Sequence, residues 1–280
     1  MNPTSIFKDI ADFRRYCDGL QADTEYRQLL PSIRSTAAAI SGIIGRRTLQ
    51  AISELEDSNE GLEALKTAIA TGTLYRYQIF DSIKKNGSDA SMYKYQHEEI
   101  KEHHISAHWL AMDELLTWLD SNPQTGGYNE TKTYKERQEL PVKNAEEFDY
   151  YYGIDRSAYF FSKVQFLIRS VWIGRLKPMV SDLEINEELQ DLINRSLCYQ
   201  VVAEAVMKFD VTELPRSIRY DYNHEYTKGT SMQSRDKLYG DLMSQVNAWN
   251  ESIENLVQIQ KGATAICMNT NEESDKFYVI

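Results

Sequence analysis

The chain has 280 residues, 42% of them hydrophobic and 11% aromatic, with 18 tyrosines, which is enough apolar surface for a folded core and excludes a disordered chain. Its formal net charge is −11, split −5 and −6 between residues 1–140 and 141–280 with no basic block, an arrangement that disfavours tight, sequence-independent nucleic-acid binding. Cys17, Cys198 and Cys267 have no CxxC spacing and read as reduced thiols of a cytosolic product, the start MNPTSIFKDI lacks the pattern of a signal peptide, and no run approaches the ~18 apolar residues of a membrane span.

In chain order, Ile6, Phe7, Ile10, Phe13 and Tyr16 fall at helical spacing and predict a helix over 6–18, with Thr4 or Ser5 as its cap and Gly19 as its stop. Residues 23–44 place Tyr26, Leu29, Leu30, Ile33, Ala37, Ile40 and Ile44 on one face. Pro31 inside this run predicts a kink or a break, and Gly42 and Gly45 its end. Residues 61–84 predict a third helix, closed by Asn86-Gly87. Residues 91–120 predict the longest one, with His97, His104, Trp109, Met112, Leu115 and Leu119 in its stripe and Asn122-Pro123 as its stop. Residues 121–141, SNPQTGGYNETKTYKERQELP, have little periodicity and read as a linker with a short strand or hairpin.

The order then restarts. Helices are expected over 144–152, 155–177 (starting at Asp155), 186–209 and 231–260, with a polar loop at 210–230. AICMN and KFYVI, on either side of the polar NEESD, read as two short strands of a hairpin or arm. The expected fold class is therefore mainly α. Two tandem related helical bundles occupy 1–121 and 142–261, with a β-like linker at 122–141 and a β-like arm at 262–280.

The relation between the halves lies in the residues. Positions 8–35 align without gaps on 143–170, and six of 28 are identical: Lys8/Lys143, Phe13/Phe148, Tyr16/Tyr151, Ile33/Ile168, Arg34/Arg169 and Ser35/Ser170. The apolar face is kept by Tyr26/Phe161 and Leu29/Val164. The fourth helices align at an offset of 138, through Ile100/Leu238, His104/Leu242, His108/Val246, Leu115/Ile253 and Leu119/Val257. An ancestral unit of about 135 residues, duplicated, explains this pattern.

The segments FKDIADFRRY…LLPSIRSTAAAISGIIG and NAEEFDYYYGIDRSAYFFSKVQFLIRSVW resemble the head–tail connector (adaptor, or ring) proteins of tailed bacteriophages of gut Bacteroidetes, the crAss-like phages included. The resemblance runs from about residue 5 to 260 and is most specific over 140–172; the Ala- and Ser-rich STAAAISG is its one departure. It implies a virion structural protein, assembled in the host cytoplasm and placed at the head–tail junction. Such a protein forms a ring, commonly of twelve copies, docks on the portal protein and carries the next tail or connector protein. Its ring extends the channel through which DNA passes without specific binding. A net negative subunit is compatible with a wall that does not hold DNA, and no membrane contact or cofactor is implied.

Candidate chemistry is sparse. His97, His103, His104 and His108 lie within twelve residues, and His104 and His108 share a helix face at i, i+4, a spacing able to hold zinc. HExxH is absent, and the aligned residues in the second half are apolar, so core or interface histidines are the simpler reading. No catalytic, cofactor or metal residues are assigned. A soluble helical metalloenzyme built on these histidines and a monomeric helical binding module are the alternative functions. Gly126-Gly127 reads as a turn, not a phosphate loop. Trp109, Trp118, Trp172 and Trp249 are expected in the core. A helix cannot bury Tyr150, Tyr151 and Tyr152 together, so Tyr151 is expected in the core, with Tyr150 and Tyr152 as ordinary surface residues or, alternatively, as candidates for a contact surface. The remaining interface candidates are Arg216, Arg219, Tyr220 and Tyr222 in the polar loop, and Phe277, Tyr278, Val279 and Ile280 in the arm.

Overall fold

The computed structural model describes residues 6–85, 94–181, 183–220 and 231–268. Among these residues there is no β-strand, and every regular element is helical. The chain divides into two compact units, Met1–Glu139 with Arg156–Lys163, and Leu140–Asp155 with Val164–Ile280.

The first unit contains α1 (Ile10–Arg14), α2 (Tyr26–Ile44), α3 (Arg46–Ser53), α4 (Glu60–Lys85), α5 (Lys94–Ser121) and α6 (Lys132–Gln138). Helices α4 and α5 pack along each other, and α2 lies on α4. The predicted stripes meet in the core: Leu29, Ile33, Leu65, Ile69, Met112, Leu115 and Leu119 are all fully buried. Each such side chain contributes about 1.5–3 kcal/mol by leaving water.

Helix α1 is short and needs local help. Its cap is Asp9, whose carboxylate accepts the Asp12 N–H at 2.8 Å, while Asp12 accepts the Lys8 N–H at 3.0 Å. The expected caps Thr4 and Ser5 lie outside the described residues. Phe13 projects into the core, and Lys66 of α4, almost wholly buried, reaches Asp12 at 3.7 Å and Asp57 at 3.4 Å and sits over the Tyr16 ring.

Pro31 neither breaks nor ends α2, which runs through it. It falls in the second turn, so only its own missing N–H to the Arg27 carbonyl is lost, and the buried face of Leu29, Ile33 and Ala37 offsets that loss. Gly45 ends the helix with φ 89°, whereas Gly42 is an interior residue. Helix α3, which the sequence reading passed over, turns Leu49 and Ile52 inward.

The linker is not a strand or hairpin. Thr125–Glu130 is a 3-10 turn and Lys132–Gln138 is α6, capped by the Thr131 hydroxyl, which accepts the Tyr134 N–H. Local capping and one ion pair outweigh its polar composition. Arg137 forks onto Asp120 of α5 with bonds of 3.2 and 2.6 Å, and its guanidinium lies over the Tyr134 ring. Gly126 and Gly127 make the turn with φ 56° and 73°. A Cβ on Gly126 would stand 2.6 Å from the Thr48 Cα and 2.7 Å from the Arg47 carbonyl oxygen, both backbone atoms that cannot swing away.

The second unit contains α7 (Ala145–Tyr151), most of α8 (Ala158–Val171), α9 (Lys177–Met179), α10 (Glu187–Lys208) and α11 (Ser231–Met268). A π turn, Trp172–Leu176, joins α8 to α9. Helices α10 and α11 form its long pair. Phe148, Val164, Ile168, Leu197, Val201, Val206, Val246 and Ile253 are fully buried. Helix α8 starts after Ser157, whose hydroxyl accepts the Phe160 N–H at 3.0 Å, and not at Asp155, which has a left-handed backbone with φ 58°.

Helix α11 continues to Met268, so residues 262–268 are helical, contrary to the β-like arm expected there. A helix already under way adds a residue with one further hydrogen bond, which overrides the weak strand preference of AICM. Residues 269–280 lie outside the described residues. The four tryptophans are half-buried, not core residues.

Gly126→Ala is expected to destabilise the chain by about 1–3 kcal/mol, because strain and overpacking coincide there. Gly42→Ala, with open space around it, is expected to be neutral or stabilising by up to about 1 kcal/mol. Urea denaturation of the two variants checks this; equal midpoints would contradict it.

Candidate functional site

Of the residues singled out in the sequence, Tyr152, Arg216 and Tyr220 come together in the second unit. They line an open cleft of about 600 Å³ with Tyr151, Gly153, Asp155, Tyr199 and Ser217. The cleft is built from three pieces of chain: the end of α7, the helical turn over 216–220, and the middle of α10.

Each piece is fixed by a specific contact. Asn144 caps α7 by accepting the Glu147 N–H at 2.8 Å, and Glu147 in return accepts the Lys143 N–H at 2.7 Å. Phe148 then drives the helix onto the core, and Asn194 of α10 donates to the Tyr151 hydroxyl at 3.2 Å. Beyond α7 the chain reverses sharply. The Asp149 carboxylate accepts the Ile154 N–H at 2.7 Å, and Asp155 and Arg156 both take positive φ. That reversal aims Asp155 at the 216–220 turn, where it accepts the Ser217 N–H at 3.0 Å. The Ser217 hydroxyl donates back to the Gly153 carbonyl at 3.0 Å. Asp155, expected to begin its own helix, therefore serves the first turn of another one.

The cleft wall is a ladder of rings. Tyr152 meets Tyr199 edge to face at 4.9 Å, and Tyr199 meets Trp249 of α11 at 4.5 Å. Such pairs hold their geometry and contribute about 0.5–1.5 kcal/mol beyond simple burial. Arg216 is exposed at the mouth and Tyr220 is 69% exposed, while Arg219 is half-buried with its Nε enclosed and no partner for it among the described residues. The arrangement offers aromatic faces, hydroxyl groups and a cation to a ligand that brings apolar or acidic groups. Tyr199, Asp155 and Ser217 were not singled out in the sequence. The DRS of 155–157 was legible as a capping signal, but which helix it serves depends on a contact 62 residues away.

Tyr150 belongs elsewhere. It is 75% exposed and lines a second open cleft with Pro141, Lys143, Glu146 and Glu147. Tyr151 is partly buried, between Tyr150 at 5.0 Å and the Arg195 guanidinium. Tyr222, Phe277, Tyr278, Val279 and Ile280 lie outside the described residues.

The histidines are in the first unit. His108 donates from Nδ1 to the Ala68 carbonyl of α4 at 3.1 Å and faces the Tyr159 ring. Gly72 makes room for it, since a Cβ there would stand 2.7 Å from the His108 ring. Burial, followed by the nearby Arg76 charge, pushes His108 down to about 4. His104 is buried beside Gly19 and is lowered by burial and then by His103. The side chain of His97 lies outside the described residues. Among the described residues no group of three or more His, Cys, Asp or Glu is arranged to hold a metal ion. Nor is any helix among them long and apolar enough to cross a membrane.

Fold and cleft define a mainly helical protein of two units with a tyrosine-lined surface on the second. A family of unknown function (DUF6712) has a model that matches residues 176–262, a stretch that holds α10, Tyr199, the 216–220 turn and most of α11. No curated protein and no solved structure matches the chain.

Asp155→Gly keeps the permissive backbone but removes the carboxylate. Amide exchange at Ser217 is expected to speed up about tenfold, the effect of losing one capping bond; unchanged exchange would remove Asp155 from this role. The folded chain resists the proton that unfolded His108 accepts near 6.5. The stability due to neutral His108 is thus complete above about pH 6.5 and is lost as pH falls towards about 4. Replacing His108 by Gln is expected to flatten the acid side of the stability–pH curve in that window, read from urea midpoints.

Proposed function

We propose that this chain is a virion structural protein, a ring-forming head–tail connector that docks on a portal and extends the DNA channel toward the tail. The observation that carries the reading is the agreement of two modules within the segments that resemble connector proteins. Lys8, Asp9 and Asp12 form the same reciprocal cap as Lys143, Asn144 and Glu147, 135 positions later. Phe13 and Phe148 follow at zero exposure. Tyr16 lies under Lys66 of α4, and Tyr151 under Arg195 of α10. The aligned pairs Leu29/Val164 and Ile33/Ile168 are fully buried, as are Leu115 and Ile253 in the aligned long helices.

Agreement in cap, core residue and cation–aromatic contact supports an internal duplication of one helical unit. Two related helical units suit a ring subunit. Ring closure asks for two different surfaces on each copy, related by rotation about an axis. Two diverged units provide different surfaces. The net charge of −11 fits a wall past which DNA slides. The partners on this reading are further copies of the chain (twelve in all by the resemblance), the portal, and the next tail component.

Light scattering with and without the cognate portal tests this. A ring-sized complex on the portal is the expected outcome. A monomer that ignores the portal would overturn it and leave a monomeric binding module.

A further inference from the structure

We propose that the cleft of Tyr152, Tyr199, Arg216 and Tyr220 is the receptor for residues 271–280 of a second copy of this chain. The inference deepens the ring reading and rests on it for the occasion on which copies meet.

The chemistry is complementary. Residues 271–280 read NEESDKFYVI: three acidic side chains, Glu272, Glu273 and Asp275, and one lysine, Lys276, followed by Phe277, Tyr278, Val279 and Ile280. The cleft presents an aromatic wall and one cation, Arg216; the carboxylate in its lining, Asp155, accepts the Ser217 N–H. Exposed Arg216 stands at its mouth, and the Tyr152–Tyr199 ladder forms an aromatic wall beneath. An aromatic or aliphatic anchor on a tyrosine wall, with a charge pair at the rim, is how interfaces divide affinity from orientation. Strand addition is not the mode, because the described residues hold no sheet edge to receive a strand.

Reach decides which copy supplies the segment. Trp249 packs on Tyr199 at the cleft, and α11 then continues 19 residues to Met268. At the helical rise, Met268 lies about 28 Å beyond Trp249. Phe277 is nine residues past Met268, so it reaches at most about 30 Å when fully extended. A chain filling its own cleft would have to run taut and straight back along α11. A neighbour's cleft imposes no such condition.

The test is a titration of a fluorescent peptide, NTNEESDKFYVI, into the full chain, read by anisotropy. Saturable binding is expected, weakened at least tenfold by Arg216→Glu. Binding to the Arg216→Glu chain is expected to return with a peptide carrying E272K, E273K and D275K. Because Arg216 is exposed, its substitution leaves the core intact, and the rescue separates a charge contact from misfolding. No saturable binding to the full chain would overturn the proposal, whether the cleft rejects the segment or the chain's own segment already fills it. Binding indifferent to Arg216→Glu would overturn it as well. The titration contains no portal. A chain that takes the peptide yet ignores a portal would refute the connector reading and leave this contact standing as one between copies.

Discussion

Each unit depends on one pair of long helices that share a single apolar seam. In the first it is α4 with α5, through Leu65, Ile69, Met112, Leu115 and Leu119; in the second it is α10 with α11, through Leu197, Val201, Val246 and Ile253. Helices of this length carry their hydrogen-bond ladder far past the costly first turn. The short elements do not, since a five- or seven-residue helix is too short to be stable in isolation. They are held by caps and by one anchor each: Phe13 for α1, Phe148 for α7, the Arg137–Asp120 fork for α6. The architecture is therefore two seams with small, individually anchored pieces arranged on them.

The long helices were legible in the sequence because a seam writes its period into the residues. Leu115 and Leu119, or Val246 and Ile253, admit hardly any other reading. What escaped was set by contacts without a period. Polar α6 looked like a linker because Arg137 and Asp120, 17 residues apart, carry no local signal of their pairing. Pro31 looked like a break because the rule for proline is local, whereas the packing that overrides it is not. The tail of α11 looked like a strand because its composition was weighed without the helix preceding it. At the cleft, Tyr152, Arg216 and Tyr220 stood out as residues without an obvious core role. Tyr199 did not, because a tyrosine in a strongly periodic helix is indistinguishable from a packing residue until its neighbour is known.

The proposed duplication also explains why the cleft is found on the second unit. At the offset of 135, the buried positions keep their character: Phe13 answers to Phe148 and Ile33 to Ile168. The positions outside the buried stripe do not: exposed Arg15 answers to Tyr150, and Cys17 and Leu20, half-buried against the first core, answer to Tyr152 and Asp155. On that proposal, the scaffold was retained while one surface was rewritten with aromatic side chains and a carboxylate that locks the neighbouring turn. Divergence of this kind turns two similar bodies into two unlike faces.

Within the α10–α11 seam, Ser196 donates to Asn250 at 2.7 Å among apolar neighbours, and the second amide atom of Asn250 is enclosed without a partner among the described residues. A polar pair in such a place adds little to stability, but it favours the register in which it is made. Sliding α11 by one turn, about 5.4 Å, would break this bond. The longest helix among the described residues is thereby indexed like a keyed shaft. Whatever docks on its far half meets it at a height set by Asn250.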